Sequence, residues 1–164
     1  MRAFFSTLWQ LASTALGAAL FLGLMWYIAR IHSWQWRIAA RSYAGRPGSR
    51  PIATKGPETI VMTGRGETKA SPGGIGYRVH VGVRIAVHAD GLALSLIPPF
   101  SIMCPQLFLP YEEMEVAPTW WALWPDPFAI RMKRAPELDI ILAQDLAQWL
   151  RVHSEYGPFG RATS

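Results

Sequence analysis

The sequence predicts an α+β chain that is mostly β: one N-terminal transmembrane helix, then an antiparallel sheet or barrel of about seven strands, capped by a C-terminal helix. Three observations carry this. Residues 4–28, FFSTLWQLASTALGAALFLGLMWYI, hold no charge and no proline. Residues 77–88, YRVHVGVRIAVH, alternate apolar and polar with period two, a strand signal. Residues 143–155, AQDLAQWLRVHSE, set Leu146, Trp149, Leu150 and His153 on one helical face.

The composition agrees. Of 164 residues, 51% are hydrophobic and 16% charged. An average globular chain carries about 25% charged residues, so this one is depleted in the direction of a membrane protein. The net charge is +5. The lone cysteine, Cys104, excludes an internal disulfide and fits a reducing compartment. Tryptophan, with 8 copies, favours bilayer and protein interfaces.

Residues 4–28 reach roughly 38 Å as helix, longer than a ~30 Å bilayer core. Trp9 lies near one end, and Trp26 and Tyr27 at the other, as interfacial anchors do. A cleaved signal is the competing reading, but the run is too long and no small-x-small site follows it directly. Only Arg2 precedes the segment, whereas Arg30, Arg37, Arg41, Arg46, Arg50 and Lys55 follow. The positive-inside rule then puts the C-terminal side in the cytoplasm and the N-terminus outside. Ala15, Ala19 and Gly23 lie four apart, a spacing that lets two helices approach closely and permits a homo-oligomer. The frequency of Ala and Gly in membrane helices explains the spacing at least as well.

Residues 30–45, RIHSWQWRIAARSYAG, continue with helical character. Ile31, Trp34 and Ile38 fall on one face, and Arg30, Arg37 and Arg41 on another. That suits an amphipathic collar along the inner leaflet, each cation worth about 1 kcal/mol beside anionic lipid. Arg30, Trp34, Trp36, Arg37 and Arg41 are the lipid contacts expected there. A plain stop-transfer collar is the simpler version. The Pro- and Gly-rich residues 45–57 read as a linker. The chain thus divides into an anchor (1–29), a collar and linker (30–57), a domain (58–155) and a tail (156–164).

Within the domain, residues 58–63, 77–88, 91–97, 106–110, 114–117, 128–133 and 138–142 are the strand candidates. Residues 91–110, GLALSLIPPFSIMCPQLFLP, carry no charge and invite reading as a second span. Pro98, Pro99, Pro105 and Pro110 exclude that, since an interior proline costs a helix about 3 kcal/mol. The stretch divides instead into two strands around the apolar loop PPFSIMCP.

DGLALSL at 90–96, LFLPYEEMEV at 107–116 and the closing helix resemble the pleckstrin-homology-like superfold. The resemblance is in particular to small bacterial membrane-anchored proteins with such a domain, and covers roughly residues 58–155. Tyr111 stands where that family more often has tryptophan. The resemblance implies lipid or protein binding without catalysis. Together with the charge asymmetry it implies a single-pass protein of the bacterial inner (plasma) membrane with a cytoplasmic domain.

No catalytic constellation assembles. His32, His80, His88 and His153 show no metal-ligand spacing, so no metal or cofactor is expected. Cys104 lacks a visible base. Glu112, Glu113 and Glu115 read as a solvated edge or a docking point for a basic partner. The cations beside the apolar segment are better explained by lipid than by nucleic acid. Two surfaces stand out. Trp120, Trp121 and Trp124 crowd one loop, and Phe100, Ile102 and Met103 another; both suit contact with a partner or a bilayer. Arg78, His80, Arg84 and His88 line one strand face, from which Arg78 and Arg84 are the expected headgroup contacts, although a plain wet face is the stronger reading. The expected function is therefore a non-enzymatic, membrane-tethered interaction or scaffold protein that binds a protein partner or helps assemble a membrane complex. An anionic-lipid sensor is the alternative.

Overall fold

The computed structural model describes residues 2–64, 76–98, 100–101, 104–119, 124–154 and 157–159, with α1 side chains described at 13–24, 26–27, 30 and from 33 onward. The chain opens with one long helix, α1 (Arg2–Tyr43). Seven strands follow: β1 (Ala53–Gly64), β2 (Tyr77–Val87), β3 (Gly91–Leu96), β4 (Leu107–Pro110), β5 (Met114–Pro118), β6 (Phe128–Met132) and β7 (Leu138–Leu142). A 3-10 turn, Tyr111–Glu113, joins β4 to β5, and helix α2 (Gln144–His153) follows β7.

All strand pairs are antiparallel, in the order β4-β3-β2-β1-β7-β6-β5, and the sheet curls into a half-barrel. β1 is the hinge, because it pairs with β2 on one side and with β7 on the other. The concave face holds the main core, including Ile60, Met62, Ile85, Leu94, Leu109 and Ile140. α2 adds Leu146 and Leu150 to that core. The charge-free residues 91–110 are β3 and β4 with their connection, in register from Gly91 opposite Pro110 to Leu94 opposite Leu107. Gly91 is required there, since a Cβ would collide with the Leu109 carbonyl oxygen.

The expected membrane anchor is overturned. Among the described residues, no helix is long and apolar enough to cross a membrane. The single-pass topology, the inner-membrane location and the sidedness of the two termini rested on that span and fall with it.

No glycine or proline lies between Gly23 and Gly45, so nothing stops the helix there, and α1 runs on to Tyr43. β1 begins at Ala53, inside the stretch read as linker.

Candidate interaction surface

The last turns of α1 are part of the domain. Trp36, Ala39 and Tyr43 recur at helical spacing and belong to the main core, with Trp36 at 0% exposure. Trp36 donates its indole N–H to the Pro105 carbonyl at 2.7 Å. Its ring meets His80 edge-on at 5.5 Å. Gln35 donates from Nε2 to the Gly76 carbonyl at 2.8 Å. At the helix end, the Arg134 backbone N–H donates to the Tyr43 hydroxyl at 2.9 Å, and Ser42 donates to the Arg134 carbonyl at 3.0 Å. Ala44 then bridges to Leu107 beside β4.

This root corrects the collar. The face turned to the core is Trp36–Ala39–Tyr43, with Ile38 partly buried against it, whereas Trp34 points away. Trp34 is 62% exposed, while Trp36 is sealed from any lipid. The sealed position suits an indole because a carbonyl accepts its N–H there. Arg30, Arg37 and Arg41 are exposed, and Arg30 sits over the Trp26 ring at 5.2 Å.

N-terminal to the root, the described side chains of α1 are bare over residues 13–24, 26, 27 and 30. Leu16, Leu20, Phe21, Leu22 and Leu24 are all more than half exposed, as are Trp26 and Tyr27. These positions point around the whole circumference, and Ala15, Ala19 and Gly23 are exposed with them. A helix that is apolar all round is ordinarily covered.

The row Arg78–His80–Arg84–His88 does not exist as one face. Gly82, at φ +71°, changes which residues of β2 point inward. The β1–β2 register shifts in the same region, between Glu58 and Ile60. Ile60 pairs with His80 and Glu58 with Val83. His80 therefore points inward at 5% exposure, and Arg78 shares its side of the strand. Arg84 lies on the opposite, outer side and is exposed. His88 is buried, with Nδ1 3.4 Å from the Ser49 hydroxyl. A Cβ at Gly82 would strike Ile97 at 2.8 Å. Phe100, from the loop after Ile97, lies near the same spot and is 52% exposed.

Trp124 covers the outside of the sheet. It packs with Val79 on a small second cluster of Val61 and Ile141, and it is half-buried there. Its neighbours Trp120 and Trp121 lie outside the described residues, as do Ile102 and Met103.

The groups weighed for chemistry have other work. Glu113 pairs with Arg134, which holds its carboxyl below the usual carboxylate range. Glu115 faces Arg131 at 3.9 Å, and Lys133 donates to the Glu112 carbonyl at 2.6 Å. Burial pushes the Cys104 thiol up to about 11, which keeps it protonated and unreactive. Burial first and the charge of Asp90 second raise the Tyr111 phenol to about 12, against the opposing effect of a Ser154 hydrogen bond. His153 bonds the Trp149 carbonyl at 2.8 Å and stacks on that ring at 4.6 Å. The side chain of His32 lies outside the described residues. Among the described residues, no group of three or more His, Cys, Asp or Glu is placed to hold a metal.

Comparison with protein-family models, with curated proteins and with solved structures finds no match. The surface therefore has to be interpreted from its own chemistry.

Proposed function

We propose that this chain is a non-enzymatic interaction protein. A pleckstrin-homology-like domain holds an apolar helix rigidly outward, and a protein partner covers that helix in an assembled complex. One observation carries the reading: a single helix is locked into the core at Trp36–Tyr43 and bare on every face at residues 13–24. Whatever covers the bare part is mechanically tied to the domain. The meander of seven strands closed by a helix supports the pleckstrin-homology-like assignment.

The test is capture of partners by the full chain in mild detergent, with mass spectrometry as readout. A variant carrying Leu16→Ser, Leu20→Ser, Phe21→Ser and Leu24→Ser runs in parallel. A partner retained by the wild type and lost by the variant, with the same near-UV circular dichroism, is the expected result. Equal capture by both chains overturns the reading.

The exposed guanidinium groups of Arg30, Arg37, Arg41, Arg78 and Arg84 favour anionic-lipid binding as a second reading. It requires vesicle binding that falls steeply with salt. Binding indifferent to salt and to lipid charge refutes it.

A further inference from the structure

We propose that the groove between α2 and the start of β6 is a binding site for a peptide segment bearing a carboxylate side chain. The groove has a volume of ≈ 210 Å³ and is lined by Phe128, Gln144, Gln148 and Arg151. Spacings of four and three place Gln144, Gln148 and Arg151 on one face of α2. The core face of the helix, Leu146, Ala147 and Leu150, points elsewhere.

The chemistry of the lining selects the ligand. The Arg151 guanidinium lies over the Phe128 ring, 4.9 Å from its centroid. A guanidinium held against a ring keeps its N–H edge free, and that edge matches the two oxygens of a carboxylate. Among the described residues, no carboxylate lies within ion-pairing distance of Arg151. Glu155, four residues after Arg151, lies outside the described residues; Asp145, at the start of α2, faces the other way, 3.8 Å from Lys55, and Lys55 also sits over the Trp149 ring at 6.0 Å. Among the described residues, α2 thus has one flank whose charge is matched and one flank with a cation still to be met. The two glutamine amides on the open flank each offer a donor and an acceptor, the pair a peptide unit needs. The half-buried Phe128 supplies an apolar floor for the methylenes of an acidic side chain.

This site is independent of the α1 surface, so either proposal can fail alone. The experiment is a titration of the isotope-labelled full chain in mild detergent, followed by amide chemical shifts. The probe is the acetylated tripeptide amide glycine–glutamate–glycine, with the glutamine peptide as its neutral counterpart. Saturable shifts at Gln144, Gln148 and Arg151 are expected, with the glutamine peptide weaker by about tenfold because the charge-assisted pair is lost. Arg151→Gln should weaken the acidic peptide to the same extent. Arg151→Lys should retain only part of the affinity, because a lysine cannot make the two-pronged contact. Val152→Ser, on an exposed neighbour, should change nothing. Shifts of equal size with both peptides, no shifts at all, or binding insensitive to Arg151→Gln each overturn the proposal.

Discussion

The two ends of α1 share one helix and similar apolarity, yet they meet opposite fates. Residues 13–24, 26 and 27 are exposed on all sides, whereas Trp36, Ala39 and Tyr43 are sealed in the core. The difference is not hydrophobicity, since Leu20 and Phe21 are at least as apolar as Tyr43. It lies in what the rest of the chain offers. The half-barrel presents a carbonyl at Pro105, a backbone N–H at Arg134 and an apolar concave face. Only the root has an indole, a phenol and a small alanine at the right spacing to use them. Apolar surface makes burial favourable; complementary polar groups decide which part is buried against this domain.

The largest expected effect tests the root. Trp36→Ala removes a fully buried ring and one hydrogen bond, and should cost about 3–5 kcal/mol, read as a lower denaturation midpoint. A loss below about 1 kcal/mol would mean that the root is not part of the core in solution. Next, Tyr43→Phe keeps the packing but deletes the acceptor for the Arg134 N–H, and should cost about 1 kcal/mol. Alkaline titration probes the surroundings of the root more gently. The neutral forms of Cys104 and Tyr111 are favoured in the folded state, with folded values of about 11 and about 12 against 9.0 and 10.0 ordinarily. Their contribution to stability is full below pH 9.0 and fades as the pH rises through those folded values. A melting temperature flat from neutral pH to pH 12 would contradict the burial of both groups. The smallest effect belongs to the bare end. Leu20→Ser and Phe21→Ser should leave the stability of the domain within about 0.5 kcal/mol. A larger loss would show that the bare end packs on the domain after all.

Much of the sheet was legible in the sequence. Alternation marked β2, the prolines of residues 91–110 forced a strand–loop–strand reading, and the apolar spacing around Leu146 and Leu150 marked α2. Side-chain direction was legible only where the alternation ran unbroken. At Gly82 one residue with positive φ reversed the facing of β2, which turned His80 inward and separated Arg78 from Arg84. Period two says nothing about where a strand slips. The tryptophans of the 118–128 loop looked sticky because aromatic density has no direction; Trp124 proves to be a cover for Val61 and Ile141. The groove beside α2 gave no sequence signal, because Phe128 is distant in sequence from the three α2 residues that it meets.

By itself, the sequence determined the class of the chain, an α+β fold dominated by a meandering sheet, because periodicity is a local property of neighbouring residues. It also determined that a long apolar segment precedes that sheet. The tertiary structure alone decided that the segment is the outer part of one unbroken helix, that Trp36 rather than Trp34 faces the core, and that no helix among the described residues is long and apolar enough to cross a membrane. The reason is physical. A hydrogen bond from Trp36 to Pro105, or a register shift opposite Gly82, joins residues far apart along the chain, and only the folded chain brings them together.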